Sequence, residues 1–222
     1  MYISISKMKI QILISKSSWA NQYDDLIRKE LNSNNNNIII LNDHKKLKSG
    51  YDINIIFSYF KIIDKKYLLR SKHNIIPHES NLPFGRGMSP LTWQILNSKN
   101  TIVFSLIQAN QKIDAGKFYY KKKVKIAKNL LFNEIKKKQL NINLNLINKF
   151  INFYKKNGIA PKSFKQNGKP SYFKRRKPHH SKVSLDKSIR SQFNLLRVCD
   201  EKNYPAYFKI FGKKYIIKLK KV

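Results

Sequence analysis

The chain of 222 residues and 26.3 kDa fits one domain of ordinary size, and its 41% hydrophobic and 12% aromatic content excludes a disordered polar chain. Its single cysteine, Cys199, excludes a disulfide framework and a cysteine-based zinc site and is typical of a reducing compartment. The formal net charge is +34, and no apolar run reaches the roughly 18 to 20 residues of a membrane span, so we expect a basic cytoplasmic protein without a signal peptide or a membrane segment.

The first part of the chain alternates strand and helix patterns. Residues 8–14 alternate apolar and polar side chains and predict a strand, with residues 1–7 as a frayed extension. A helix follows, and Ser17 and Ser18 are its candidate N-caps. Further short strands are predicted at 38–41, 52–57 and 75–76, the last ending at Pro77. This order predicts an α/β fold with a central, largely parallel sheet flanked by helices.

The second part continues this alternation after an irregular loop at 79–90. Ser89 and Pro90 predict a helix start, with the serine hydroxyl as the cap and the proline in the first turn. The remaining predicted elements are strands at 101–109 and 118–120, a helix from about 125 to 154 with an interruption at 141–145, a loop or arm at 155–182, a helix at 189–197 and a hairpin at 204–219. We expect a catalytic domain at 1–160 and a basic arm with a helix and a hairpin at 161–222.

The positive charge has two interpretations. Alone, it is typical of a nucleic-acid-binding protein. However, the sequence holds 39 Lys against 7 Arg, together with 30 Ile and 24 Asn, which is the bias that an A+T-rich coding sequence imposes. Residues 135–185 contain no acid and carry fourteen Lys or Arg. We therefore expect most of the charge to be a solvated surface, with a phosphate-bearing ligand as the functional interpretation of Arg175 and Arg176.

Two titratable side chains lie where chemistry is expected in an α/β sheet. His78 ends an apolar segment at the irregular loop, and Asp114 follows the strand at 101–109. Because ligands of open α/β sheets bind at the carboxyl ends of strands, a His and an Asp on neighbouring strand ends are placed to exchange a proton. The alternative is that His78 caps a turn and Asp114 forms an Asx turn. His179 and His180 are expected on the surface, because no metal-binding cluster accompanies them.

The segment HESNLPFGRGMSPLTWQIL at 78–96, followed by IDAG at 113–116, resembles the signature of the 10-formyltetrahydrofolate-dependent formyltransferases. The catalytic domains of that family read roughly HxSxLPxxRGxxPxxWxIL and then DxG after the next strand. Segments at 57–63, 173–176 and 196–221 are also similar to family members. The resemblance touches most of the chain and implies a Rossmann-like formyltransferase domain with a small C-terminal hairpin and arm.

The resemblance implies roles for individual residues. His78 matches the catalytic histidine of the family, and Asp114 matches its catalytic aspartate. In the implied reaction a substrate amine attacks the formyl carbon of 10-formyltetrahydrofolate, and Asp114 helps to accept the amine proton. His78 stabilises the oxyanion or protonates the departing nitrogen, and no metal is required. The loop that wraps the folate is matched by Ser80, Asn81, Leu82 and Pro83.

One position departs from the family pattern. The family usually has an asparagine two residues before the catalytic histidine, and this chain has Ile76 there. Asn74 lies two residues further along the same side of an extended strand, so we expect Asn74 to replace it as the third catalytic residue. A catalytically impaired protein that binds nucleic acid through its basic surface is the alternative that Ile76 leaves open.

The acceptor is inferred from the branches of the family, which formylate initiator methionyl-tRNA, glycinamide ribonucleotide or nucleotide-linked amino sugars. The tRNA enzymes carry a further C-terminal domain, which we do not expect here, and the strand TIVFSLIQANQK lacks the second histidine usual in the purine enzyme. The resemblance therefore favours the primary amine of a nucleotide-linked amino sugar, with Arg175 and Arg176 binding its phosphate. A methionyl-tRNA formyltransferase-like enzyme is the alternative, and a homodimer is left open.

Overall fold

A computed structural model describes residues 7–32 and 36–222, so most of the frayed extension predicted at 1–7 lies outside the described residues. The described strands are β1 (Lys9–Leu13), β2 (Asn37–Leu41), β3 (Tyr51–Ile56), β4 (Ser71–His78), β5 (Arg86–Gly87), β6 (Thr101–Gln108), β7 (Phe118–Lys125), β8 (Tyr172–Phe173), β9 (Ala206–Ile210) and β10 (Lys213–Ile217). The described α-helices are α1 (Asp24–Asn32), α2 (Lys65–Leu68), α3 (Pro90–Leu96), α4 (Phe132–Asn157) and α5 (Ile189–Arg197).

Six strands form the central sheet in the order β2-β1-β3-β4-β6-β7. The first four pair in parallel, whereas β6 runs antiparallel to both β4 and β7. The α/β architecture with a largely parallel sheet, as predicted, is therefore confirmed, and the C-terminal hairpin is formed by β9 and β10. None of the helices in the described ranges combines the length and the hydropathy that a membrane crossing requires.

Each face of the sheet is covered by a different part of the chain. On one face, isoleucines of β1, β3 and β4 pack in the main core with α1 and α4; Ile12, Ile55 and Ile75 are fully buried there. On the other face, Leu13 and Ile56 pack with Ile63 in a smaller cluster. The segment over this second face carries only the short helix α2, so it leaves room for a cavity above the sheet.

Several predicted boundaries were wrong for reasons visible in the packing. The strand predicted at 75–76 is the eight-residue β4 and runs through Pro77. Pro77 lies beyond the part of β4 that pairs with β3, so its missing N–H removes no bond to that neighbour. The expected cap at Ser89 is absent, because this residue has a φ of 53° and its hydroxyl makes no capping bond, although Pro90 does begin α3.

The long helix also differs from its prediction. It begins at Phe132, and the strand before it continues to Lys125. The predicted interruption at 141–145 does not occur, because Asn141 and Asn145 face solvent while Asn143 is buried and bonded to Glu79. Asparagine lowers helix propensity by only a fraction of a kcal/mol, roughly 0.7 at most, and tertiary packing outweighs that.

Residues of the predicted arm are tied to the irregular loop. The short strand β8 pairs in parallel with β5, and the Gly85 N–H donates to the Ser171 hydroxyl at 2.9 Å. Trp93 of α3 donates its indole N–H to the Lys174 carbonyl at 2.7 Å. The arm therefore fixes the backbone that surrounds the carboxyl end of β4.

Candidate active site

His78 and Asp114 lie together at the carboxyl end of β4. His78 Nδ1 is 3.6 Å from Asp114 Oδ2, and the two side chains are only 6% and 13% exposed. His78 Nε2 lies 2.8 Å from the Gly85 carbonyl, and because a carbonyl can only accept, Nε2 carries the hydrogen. In a neutral ring with that tautomer, Nδ1 is the unprotonated nitrogen and faces the carboxylate.

Asp114 reaches His78 through a loop rather than through an equivalent strand end. Because β6 is antiparallel to β4, its last residue, Gln108, is paired with Ile75, three residues before His78. The loop at 109–117 then closes on itself, with the Gln108 N–H donating to the Lys117 carbonyl at 2.8 Å. The position predicted for Asp114, at an equivalent strand end, was therefore wrong, although the proximity to His78 is confirmed.

The carboxylate of Asp114 is held in a fixed direction. Asp114 has a φ of 47°, a left-handed conformation that aspartate tolerates better than most residues, and its Oδ2 accepts the Gly87 N–H at 2.8 Å. Gly87 has a φ of 95°, and a Cβ at this position would lie 2.5 Å from the Phe173 carbonyl oxygen. A glycine is thus required where the irregular loop meets both the carboxylate and β8.

A cavity of about 300 Å³ opens beside this pair. Its walls are residues 56–63, residues 87–92 and the loop at 109–114, and Ile76 faces it from β4. Most of the lining is apolar or aromatic, and a few amides are interspersed, which is the usual composition of a site for an organic ligand.

The floor of the cavity is a polar stripe on α4. Lys136, Gln139 and Asn143 recur at helical spacing, are buried and line the cavity. Lys136 donates to Gln139 Oε1 at 2.9 Å, and Asn143 Nδ2 donates to Glu79 Oε1 at 2.8 Å. Asn143 Oδ1 is buried and accepts no hydrogen bond among the described residues. This orphaned acceptor is available to a ligand that carries N–H donors.

A second compartment of about 140 Å³ adjoins the cavity and shares Trp19, Phe60 and Lys136 with it. The aromatic and cationic side chains on its walls are Trp19, Phe60, Phe132, Lys136, Arg175, Arg176 and Tyr204. Lys136 is the charged side chain among the described residues that line both compartments.

Arg175 and Arg176 were predicted as a phosphate-binding pair, and both line the second compartment but in different surroundings. Arg175 is exposed, and its guanidinium carbon lies 5.8 Å from the centre of the Phe60 ring. Arg176 is buried; its Nη2 donates to the His180 carbonyl at 3.3 Å and to the Ser181 hydroxyl at 3.0 Å, and its Nη1 donates to the Val198 carbonyl at 3.4 Å. Arg176 therefore holds the arm together, whereas Arg175 is the exposed member of the pair.

We expect the two arginines to respond differently to alanine. Arg176→Ala removes a buried hydrogen-bonded guanidinium and should lower the free energy of unfolding by about 2 kcal/mol, or the melting temperature by about 4 to 8 °C. Arg175→Ala should change the stability by less than about 0.5 kcal/mol and raise the KM of a phosphorylated acceptor more than it lowers kcat. Thermal melting and steady-state kinetics check both, and equal losses of stability would contradict the separation.

The other residues predicted for the site lie elsewhere. Asn74 shares a face of β4 with Ile76 and His78, but its amide donates to the Leu68 carbonyl at 2.8 Å and accepts from Asn54 at 2.9 Å. It is absent from the cavity lining, so its proposed replacement of the usual asparagine is not supported. The amide is held by its neighbours about 13 Å, four residues, along the strand from His78.

The loop predicted to wrap the folate does not line the cavity. Ser80, Leu82 and Pro83 are buried, and the Ser80 carbonyl accepts from the Ser105 hydroxyl at 2.7 Å. Asn81 is exposed and accepts from Lys121 at 2.8 Å. These four residues therefore pack behind His78 and support its loop, and the segments that face the cavity are 56–63, 87–92 and 109–114.

Sequence reasoning missed the polar stripe of α4. Its signal was present, because Lys136, Gln139 and Asn143 interrupt an apolar helical face at spacings of three and four residues. Such residues are normally placed on the solvated side of a helix. Among the described His, Cys, Asp and Glu side chains, no group of three or more lies close enough to hold a metal ion.

Comparison with known sequences relates this geometry to a family. Residues 20–151 match the family described as Formyl transferase. The chain is 30% identical over 185 residues to the bifunctional polymyxin resistance protein ArnA of Wigglesworthia glossinidia brevipalpis, which covers 83% of this chain and 28% of that protein. It is 30% identical over 155 residues to the methionyl-tRNA formyltransferase of Thermodesulfovibrio yellowstonii, covering 69% of this chain and 50% of that enzyme. The chain thus spans half the length or less of these two relatives.

Solved structures share the fold. A methionyl-tRNA formyltransferase from Clostridium thermocellum superposes with a TM-score of 0.76 at 23% identity, covering 93% of this chain and 90% of that one. A 4-N formyltransferase from Francisella tularensis superposes with a TM-score of 0.68 at 18% identity, covering 97% of this chain and 99% of that one. At these identities the superpositions establish the architecture.

Proposed function

Because the chain belongs to the formyl transferase family, we propose that it transfers a formyl group from 10-formyltetrahydrofolate to the primary amine of a nucleotide-linked amino sugar. The observation that carries this proposal is the contact of His78 with Asp114, 3.6 Å apart at the edge of a cavity of about 300 Å³. The free and buried Cys199 supports the cytoplasmic location that is part of the proposal.

The residues around the cavity fit a folate. Apolar and aromatic side chains of 56–63 would hold a flat heterocycle from one side, and the loop at 109–114 would hold it from the other. Asn143 offers an unused acceptor to a ring that carries N–H groups. When bound, 10-formyltetrahydrofolate supplies the formyl carbon that the amine attacks.

His78 is arranged to accept a proton from the incoming amine. Its Nε2–H is committed to the Gly85 carbonyl, so Nδ1 is the nitrogen that is free to take up a proton. Protonation would place a positive ring next to Asp114, whose Oδ2 is already oriented by the Gly87 N–H. The carboxylate then stabilises the imidazolium without having to move.

Ile76 removes a side-chain amide from the place where the family usually has one, and its aliphatic side chain faces the cavity. During amine attack, negative charge develops on the formyl oxygen. In this chain that charge would have to be stabilised by His78 or by cavity amides such as Asn110 and Gln111, which follow β6. The proposal keeps the His78 and Asp114 pair as the catalytic centre and assigns no catalytic role to Asn74.

A nucleotide-linked amino sugar is favoured as the acceptor by the second compartment. This space is small, is walled by aromatic rings and carries Lys136 and Arg175, so it suits a compact molecule with a planar group and a phosphate. The superposition with the Francisella tularensis 4-N formyltransferase supports the same choice.

Methionyl-tRNA is the second candidate acceptor. The net charge of +34 and the methionyl-tRNA formyltransferase of Thermodesulfovibrio yellowstonii among the relatives favour it. Salt distinguishes the two acceptors, because binding to a polynucleotide backbone weakens steeply as the salt concentration rises and transfer to a small acceptor should not.

Calorimetric titration with 5-formyltetrahydrofolate, a stable mimic of the donor, tests the proposal first. We expect saturable binding to the wild-type chain, at least about 10-fold weaker binding to Ala109→Phe, which adds bulk to the cavity wall, and unchanged binding to the exposed control Ala127→Phe. Formyl transfer to a panel of nucleotide-linked amino sugars and to methionyl-tRNA then identifies the acceptor. A folded wild-type chain that binds no folate would refute the proposal and leave the basic surface as the leading functional feature.

A further inference from the structure

Lys136 is a buried charged side chain that lines both compartments. Its side chain is 8% exposed, and its ammonium lies 4.8 Å from the centre of the Trp19 ring and 5.6 Å from that of Phe132. An ammonium has three donors, and Gln139 is the only side chain in the described ranges that accepts a hydrogen bond from it. The structure thus holds a lysine in place and leaves donors for a ligand.

The charges around the second compartment favour an anion. Its walls carry the cations Lys136, Arg175 and Arg176 and the carboxylate of Asp200. Asp200 is already engaged, because its carboxylate accepts from the backbone N–H of Lys202 at 2.9 Å and from the Asn203 amide at 2.7 Å. The cations on these walls therefore outnumber the carboxylates.

We propose that the second compartment is a phosphate-binding subsite in which the Lys136 ammonium binds the phosphate of the amine acceptor. The exposed Arg175 would supply a second positive charge to the same phosphate. This inference rests on the proposed function, since it requires an acceptor that carries a phosphate. It places that phosphate in the second compartment, beside the cavity in which the amine would attack the formyl carbon. Arg176 is assigned a secondary role, because its Nη2 donates to the His180 carbonyl and the Ser181 hydroxyl and its Nη1 donates to the Val198 carbonyl, which leaves only Nε without a partner among the described residues.

The protonation state of Lys136 gives the proposed phosphate binding a characteristic pH dependence. Burial lowers its pKa to about 8; Arg176 acts in the same direction, and Glu79 and Asp200 oppose it. A phosphate binds the protonated ammonium, so its affinity should fall as the pH rises through about 8. Surface lysines keep their charge well above that pH and would give no such fall.

Calorimetric titration of the full chain with inorganic pyrophosphate tests the subsite. We expect saturable binding to the wild type and a loss of at least about 10-fold in both Lys136→Met and Lys136→Gln, because both variants remove a charge-assisted hydrogen bond to the anion. Lys137 is the next residue of α4 and is exposed. Lys137→Met therefore removes a charge of the same sign outside the compartment and should leave the affinity unchanged. The loss of affinity between about pH 7 and about pH 9 should disappear in Lys136→Met.

Three results would overturn the inference: no pyrophosphate binding to the wild type at low salt, equal losses in Lys136→Met and Lys137→Met, or tighter binding of a short single-stranded RNA than of a nucleoside diphosphate. Failure of the proposed function gives a different pattern. If pyrophosphate binding depends on Lys136 while no amino sugar is formylated, the subsite is supported and the proposed acceptor is wrong.

Discussion

Replacing His78 with alanine or Asp114 with asparagine is expected to lower the rate of formyl transfer at least about 100-fold, the usual scale for losing a general acid or base. His78→Ala removes the nitrogen that faces the carboxylate, and Asp114→Asn removes the charge that would stabilise a protonated ring. Single-turnover formyl transfer with saturating donor measures the chemical step directly. Both variants should still melt cooperatively, because the main core does not include either side chain.

The geometry also predicts that the rate losses of His78→Ala and Asp114→Asn do not multiply when the two substitutions are combined. Since His78 and Asp114 act on the same proton, the double variant should be about as slow as the slower single variant. The exposed His179→Ala and the Asp52→Asn change on β3, where Asp52 pairs with Lys72 at 2.8 Å, are matched controls outside the cavity and should keep the wild-type rate. A near-normal rate in either site variant, or losses that multiply, would contradict the assignment of the pair.

Gly116→Ala is expected to be the most destabilising single-methyl change near the site, with a loss of about 3 kcal/mol or more in the free energy of unfolding. A Cβ at Gly116 would lie 1.7 Å from the Gln108 carbonyl oxygen, which is backbone and cannot rotate away. Relief of that overlap would open the loop at 109–117 and move Asp114, so the folded fraction should also lose activity. Chemical denaturation and the specific activity of the folded variant measure the two effects.

Gly158→Ala separates steric overlap from the general cost of replacing a glycine. Gly158 ends α4 with a φ of 70°, and an added Cβ there would meet no atom within 4 Å. Its substitution should cost only about 1 kcal/mol, through the left-handed conformation, and should leave the activity unchanged. Equal destabilisation by the two alanines would mean that the loop at 109–117 adapts to a side chain at Gly116.

The sequence by itself determined the α/β class, the family and the two residues of the candidate catalytic pair. These properties depend on short segments of the sequence. The alternation of residues 8–14 predicts β1, and the residues around His78 and Asp114 resemble the signature of the formyltransferase family. Helix α5 and the C-terminal hairpin were predicted for the same reason, because capping, turn and periodicity signals depend on neighbours within a few residues.

Only the tertiary structure decided what surrounds that pair. The antiparallel direction of β6 is set by its pairing with β4, so no local pattern indicated that Asp114 returns to His78 through a closed loop. The burial of Lys136 and Arg176 likewise depends on partners from other segments of the chain, the Trp19 ring for Lys136 and the Val198 carbonyl for Arg176. Residue type predicts exposure for a lysine or an arginine, because the cost of burying a charge is overcome only when distant partners are assembled around it.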